Sequence, residues 1–299
     1  MADPRIAVIG TPGKWSTEVM ADALEERTGF RLVLDLAELS LDLQHRRLMA
    51  QGINLCELDA IVVRKVGAQP GPLTLQRLEM LRVAEAAGVR VFSPAGSLLR
   101  LLDRLACTVT LRNQDLPMPA TRITASEKEA LQCIQQWGQV ILKPMFSSKA
   151  RGMLPLSAEQ PEAELKAALA DYHQQHPLLY VQQRIHLPGQ DMALVFLGGE
   201  YLGAYARVAA EGAWNTSTSN GGRYAACQPD ASLIDLAWRA QKPFGLDFAT
   251  VDLALGEQGP VVFEVSALGG FRGCQTATGL DIAGYCAEHA LQQLRQGLA

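Results

Sequence analysis

Two carboxylates stand on neighbouring apolar segments near the end of the chain: Asp252 within Thr250-Val251-Asp252-Leu253-Ala254-Leu255 and Glu264 within Val261-Val262-Phe263-Glu264-Val265-Ser266. The intervening Gly256-Glu257-Gln258-Gly259-Pro260 reads as a turn, so the segments form a hairpin that sets the acids side by side. An ionised carboxylate among apolar side chains is costly unless it is paired or coordinated. Two together call for a cation, and hard oxygen ligands with room left for substrate phosphates suit Mg2+. The chemistry expected here is a Mg2+–nucleotide site; the plainer alternative is two surface acids on a hairpin edge.

Cationic and polar residues earlier in the chain fit the same chemistry. Lys143 ends the apolar run Val140-Ile141-Leu142-Lys143 and is followed by Ser147-Ser148-Lys149-Ala150-Arg151-Gly152. A lysine so placed reaches phosphate as a point charge, and loop N–H groups with the flanking cations add to its field, unless the segment is simply a solvated basic loop. Gln182-Gln183-Arg184-Ile185 ends the next apolar run, where backbone groups can meet an adenine edge. Asp191, just after Pro188-Gly189, can accept from ribose hydroxyls, although Asp beside Gly also suits a plain turn. Arg207 heads toward a Gly/Ser/Asn-rich loop at 214–222 and suits either the charge of a transferring phosphoryl group or a surface ion pair.

The elements that must position these residues follow from periodicity. The first hundred residues alternate strand-like and helix-like segments, with strands over 6–9, 31–34, 60–64 and 89–92 and helices over 16–27 and 75–87. Such alternation argues a parallel α/β unit with right-handed crossovers. Gly10-Thr11-Pro12-Gly13-Lys14 after the first strand fits neither G-x-G-x-x-G nor G-x-x-x-x-G-K-[ST]. A helix is expected over 98–113, then a smaller α/β lobe over 121–183 with a helix near 162–174 and a strand over 178–182. Strands over 192–197 and 200–208, the acidic hairpin and a closing helix complete the chain.

With 299 residues, 48% hydrophobic and 19% charged, the chain is long enough for two compact units. A net charge of −4 with scattered basic residues gives no footprint for nucleic acid. Cys56, Cys107, Cys133, Cys227, Cys274 and Cys286 are widely spaced, without a Cys-x-x-Cys pair, and read as thiols of a reducing compartment. Met1-Ala2-Asp3-Pro4-Arg5 runs directly into a strand without a charged leader and cleavable apolar stretch, and no run approaches a membrane span, so no membrane role and a cytoplasmic location are expected.

Taken in order, these pieces resemble the ATP-grasp superfamily, and within it the RimK-like carboxylate–amine ligases. The matching pieces are Asp103-Arg104 before Leu116-Pro117-Met118-Pro119, Leu142-Lys143-Pro144, Val181-Gln182-Gln183-Arg184-Ile185 with Pro188-Gly189-Gln190-Asp191, Ala206-Arg207, Asn220-Gly221-Gly222, Gly245-Leu246-Asp247 through Asp252, and Phe263-Glu264-Val265-Ser266. The resemblance implies an α/β (α+β lobes) ATP-grasp fold: an N-terminal α/β pre-ATP-grasp domain over 1–95 and an ATP-grasp domain over 96–299, with a small lobe at about 120–183 and a large lobe at about 184–299. It implies that ATP is gripped between the lobes. Lys143, Arg104, Ser148 and Lys149 would hold phosphate, Gln182, Gln183 and Ile185 would line the adenine hinge, and Asp191 would take the ribose. Arg207, with Lys143, would act on the transferred phosphate, and Asp252, Glu264 and Ser266 would carry one or two Mg2+, with Mn2+ as a substitute. The implied reaction converts a carboxylate to an acyl phosphate, which an amine attacks to give an amide, ADP and phosphate. That needs positioning and charge neutralisation more than a protein nucleophile, in keeping with the lack of a Ser/His/Asp or Cys/His set. The substrates implied are small-molecule or peptide carboxylates and amines, and a homo-oligomer is compatible with it.

The chain departs from the family pattern at several positions. Arg104 stands where the family has Lys, Gln183 replaces the usual hinge Glu, and Asn215-Thr216-Ser217 aligns with an Arg-x-Asn set. Ser266 replaces the Asn that follows the bridging Glu by two. Gly269-Gly270-Phe271-Arg272-Gly273 lacks an acid that relatives carry, and Arg64, Arg223 and Arg272 are candidates for an anionic substrate or for structural salt bridges. These departures resemble the ATP-grasp enzymes of bacterial GAK-type gene clusters. They also leave two rivals open: a nucleotide-binding regulatory protein with a degenerate site, and a small-molecule kinase.

Overall fold

The computed structural model describes residues 3–67, 70–148 and 150–297. Strand β1 (Ile6–Ile9), helix α1 (Trp15–Thr28) and strand β2 (Val33–Leu34) lead into a small antiparallel sheet of β3 (Ser40–Asp42), β4 (Arg47–Ala50) and β5 (Ile53–Asn54). Strand β6 (Ala60–Val63), helix α2 (Pro72–Ala86) and strand β7 (Arg90–Phe92) follow, and a parallel sheet forms in the order β2-β1-β6-β7. The alternation foretold this parallel sheet, but not the β3–β5 sheet, whose strands are too short to show a period of two.

The helix expected over 98–113 is two helices, α3 (Ala95–Leu102) and α4 (Arg104–Arg112). Asp103 between them is extended, and its carboxylate accepts from the N–H groups of Leu105 (2.8 Å) and Ala106 (3.3 Å). An aspartate that caps a new helix ends the old one, because its side chain satisfies N–H groups that a helix start leaves open.

The next sheet is antiparallel, in the order β10-β9-β11-β8, from β8 (Thr121–Thr124), β9 (Gln139–Lys143), β10 (Leu154–Ser157) and β11 (Leu179–Gln183), with α5 (Glu127–Trp137) and α6 (Glu162–Gln175). The last sheet is also antiparallel: β12 (Gln190–Leu197), β13 (Glu200–Val208), β14 (Arg223–Ala226), β15 (Phe248–Gly256) and β16 (Gly259–Ser266) lie in the order β14-β13-β12-β15-β16. Helix α7 (Ala231–Gln241) precedes β15. The closing helix is again two, α8 (Phe271–Thr278) and α9 (Ile282–Gly297), separated at Gly279, which is left-handed (φ 75°).

Packing follows strand alternation. On β12, Met192, Leu194 and Phe196 enter one core while Ala193 and Val195 enter a second. On β1, Ala7 and Ile9 join the first core and Ile6 and Val8 the second. Both cores therefore run through the parallel sheet and the five-stranded sheet alike. The β8–β11 sheet has its own core, built from Ile134, Val140, Leu142, Leu165, Leu169 and Val181 among others.

Candidate active site

The acidic hairpin is tight, with Gly256 paired to Gly259 across the two residues Glu257 and Gln258. Asp252 lies directly opposite Glu264. That register depends on a bulge. Leu253 faces Val262 while Asp252 faces Glu264, so Phe263 is an extra residue on β16. Counted in twos from the buried Val262, Glu264 would fall on the core face. The extra residue shifts the phase, returning Val265 to the core and turning Glu264 to the face of Asp252.

Across the same sheet, Asp191 on β12 is paired with Arg207 on β13. The Arg207 guanidinium donates to both Asp191 oxygens, Nε to Oδ1 at 2.9 Å and Nη2 to Oδ2 at 2.7 Å, and Nη2 also lies 2.9 Å from Asp252 Oδ2. Burial pushes the Asp252 carboxyl up to about 7; Glu264 and Asp191 add to the push and Arg207 opposes it. Although burial works against it, Asp252 and Asp191 hold the Arg207 guanidinium well above its usual value. Arg207 is thus the internal counter-ion of two buried acids.

A second group comes from the β8–β11 sheet and α4. Lys143 Nζ donates to Gln182 Oε1 (2.5 Å), and the Gln182 amide donates to Thr121 Oγ1 (3.0 Å) and to the Tyr180 hydroxyl (3.3 Å). Burial, then the Arg104 charge, lower the Lys143 ammonium to about 7, with Glu264 acting the other way. Arg104, the first residue of α4, donates to Pro144 O (2.8 Å) and Ser147 Oγ (2.9 Å), and its Nη1 lies 3.5 Å from Glu264 Oε2. The bulged Phe263 ring lies 5.8 Å from Lys143 Nζ. Arg104 and Phe263 thus join the two groups, and Phe263 is a site residue the sequence did not mark: within an apolar strand, nothing distinguishes a bulged aromatic from a core one.

The other expected residues stand as follows. The hydroxyl of Ser148 accepts from Arg151 Nη2 (2.6 Å), so this loop folds on itself, and Lys149 lies outside the described residues. Gln183 and Ile185 line a cavity of about 830 Å3 beside the β15–β16 turn, together with Arg112, Arg122 and Trp137. Lys143, Arg207, Asp252 and Glu264 do not line that cavity, but Thr121 and Thr108 do, and they bond Gln182 and Tyr180 of the Lys143 network. Asn215 Oδ1 accepts from Ser217 N (3.0 Å) and Asn220 Nδ2 (3.2 Å) within its own loop. Ser266 faces Thr250 across the hairpin, and its hydroxyl accepts from Leu268 N (3.2 Å). Arg64 is buried against backbone carbonyls, Arg223 is exposed at the start of β14, and Arg272 is exposed with its guanidinium 4.8 Å from the Trp15 ring centre.

Two facing carboxylates, one of them buried and driven toward neutrality, form a donor set that fits Mg2+, which takes the rest of its shell from water and phosphate oxygens. Among the described residues no cluster of three or more His, Cys, Asp or Glu offers an all-protein metal cage.

Residues 102–289 match the RimK-like ATP-grasp domain, and the chain belongs to that family. Its class is that of the ADP-forming carboxylate–amine ligases, which use ATP and Mg2+ to activate a carboxylate as an acyl phosphate and join it to an amine. The chain is similar to the tetrahydromethanopterin:alpha-L-glutamate ligase of Methanosarcina acetivorans, 27% identical over 94% of this chain and 96% of that protein. In structure it is similar to the ATP-grasp ligase PsnB complexed with a phosphomimetic variant of its minimal precursor, Mg and ADP, with a TM-score of 0.76, 20% identity and coverage of 98% and 100%. It is also similar to D-alanyl-alanine synthetase A of Vibrio cholerae, with a TM-score of 0.73, 14% identity and coverage of 98% and 99%. No helix among the described residues is long and apolar enough to cross a membrane.

Proposed function

We propose that this ligase grips Mg2+–ATP between the β8–β11 sheet and the five-stranded sheet, at the face shared by Arg207, Asp252 and Glu264. The observation that carries the reading is the bulged register that sets Glu264 opposite Asp252, with Arg207 2.9 Å from Asp252. Asp252 and Glu264 would hold the metal, whose charge neutralises the phosphate oxygens during transfer. Lys143 and Arg104 bind phosphate, Ser148 and Lys149 cover it, and Arg207 turns from Asp252 to the transferred group. Gln182, Gln183 and Ile185 border the adenine, Asp191 the ribose, and Asn215 the outer rim. The metal count is one firmly held ion and a weaker second, because the Ser266 hydroxyl is a poorer ligand than an amide oxygen; Mn2+ substitutes in the same donor set. Ser266→Asn is then expected to lower the Mg2+ concentration at half-maximal ADP binding, and an unchanged requirement would count against the second ion.

The domain limits proposed are 1–95 and 96–299. The substrates are a small-molecule or peptide carboxylate and an amine, in a cytoplasmic enzyme with which a homo-oligomer is compatible. The eight curated relatives compared are all named as glutamate ligases, which makes L-glutamate the first amine to screen. Arg223 and Arg272, both exposed, are the cations proposed to meet an anionic substrate. Calorimetry of ATP and ADP binding, with and without Mg2+, tests the reading. Tight binding that needs Mg2+ and is lost in folded Glu264→Gln is expected; unchanged binding in that variant would sink the metal assignment.

A further inference from the structure

We infer that Arg64 is a positioning residue that fixes the end of the metal-bearing strand β16, and through it the grip on Mg2+; this rests on the nucleotide site proposed above. Arg64 follows β6 in the parallel sheet and is only 2% exposed. Among the described residues its guanidinium meets no carboxylate. It instead takes the carbonyls of three consecutive residues just past β16: Nη1 donates to Ala267 O (3.3 Å), and Nη2 to Leu268 O (2.7 Å) and Gly269 O (3.3 Å). Lys65 Nζ adds a bond to Leu268 O at 2.6 Å. The guanidinium lies 3.9 Å from the Phe271 ring centre and 5.4 Å from that of Phe248, so aromatic faces carry part of its charge.

A buried cation held by carbonyls and rings alone is an expensive way to close a loop. What it secures is the backbone beside the site. The segment it grips begins one residue after Ser266 and three after Glu264. The other side of the segment is fixed too: Leu268 N donates to Ser266 Oγ, and Gly270 approaches β15 so closely that a Cβ there would lie 2.4 Å from Thr250 Oγ1. The segment is therefore clamped between Arg64 and the strand pair carrying Asp252 and Glu264. A planar fork that donates from two nitrogens to successive carbonyls has no substitute in the single ammonium of lysine.

Arg64→Lys tests the inference through ADP binding, followed by calorimetry along a Mg2+ titration, beside a thermal melt. The variant is expected to fold, to bind ADP in the absence of Mg2+ only as weakly as the parent does, and to need about tenfold more Mg2+ for half-maximal ADP binding, the scale at which groups behind a metal ligand act. A lowered melt with an unchanged Mg2+ midpoint would reduce Arg64 to a structural tie and overturn the inference. If Arg64→Lys does not fold, Lys65→Met, which removes the bond from Lys65 Nζ to Leu268 O, is expected to shift the midpoint in the same direction by less, and no shift there overturns it equally. A parent protein whose ADP binding ignores Mg2+ would sink the metal site itself, and this inference with it; a Mg2+-dependent parent with an unmoved variant sinks the positioning role alone.

Discussion

Burial and the neighbouring Arg104 guanidinium pull the Lys143 ammonium down to about 7, while Glu264 resists them. In the unfolded chain a lysine keeps its ordinary value of about 10.5. Between those limits the unfolded chain binds more protons, so this residue makes stability rise with pH from about 7 to about 10; below about 7 it is charged in both states and its desolvation cost is felt in full. A nucleotide whose phosphate sits on Lys143 as proposed would favour the charged form, so its binding in this window would take up a proton. ADP affinity is expected to fall as pH rises from about 7.5 to about 9, approaching tenfold per pH unit, and Lys143→Met should flatten the profile. Calorimetry in buffers of different ionisation enthalpy measures the uptake directly, and equal heats in all buffers would exclude it. At this scale the sequence marked the acids and the strand-end lysine, because a charge inside an apolar run stands out. It could not mark Phe263, Thr121 or Tyr180, whose parts arise only from what lies across the strands.

Two short departures from regular structure set the angles of the site. The first is the Phe263 bulge, invisible in a sequence where Val261-Val262-Phe263 offers no break in hydrophobicity. The second is the Asp103 cap, which divides one apparent helix and places Arg104 at the start of α4, within reach of Ser147 and Glu264. The Asp103-Arg104 pair was legible as a motif but not as a helix boundary, since the apolar spacing of Leu98, Leu101 and Leu105 runs through it. Asp103→Ala is expected to cost about 1 kcal/mol of stability, the usual loss for a helix cap, and to weaken ADP binding as Arg104 loses its fixed origin. Urea denaturation reads the first and calorimetry the second; a stability loss without any binding loss would mean Arg104 finds its partners unaided.

At the scale of the whole molecule, the two large cores cross the boundary proposed at residue 95. Both large cores contain residues from before and after position 95, such as Ile9 with Leu194 and Ile6 with Val195. Residues 96–299 alone would expose the faces of β12 and β15 that these cores cover, and are expected to aggregate or to melt without a cooperative transition; a soluble fragment with a sharp melt would contradict this. The alternating first hundred residues read as an α/β unit because each segment satisfies local rules, whereas which sheet faces meet is decided by contacts too distant in sequence to leave a local trace.

The β8–β11 sheet keeps a core of its own, joined to the rest by polar contacts such as Thr108 to Tyr180 and Arg104 to Pro144. Heat should therefore find two seams of different strength in the free protein, with this lobe absorbing heat in a separate, earlier transition. A nucleotide held, as proposed, by Lys143 on one side and Arg207 on the other would belong to both cores at once and stabilise only the state in which they are together. Scanning calorimetry should then show the two peaks draw into one as ADP and Mg2+ are added, the small molecule acting as the missing piece of interior that makes the enzyme a single thermodynamic body.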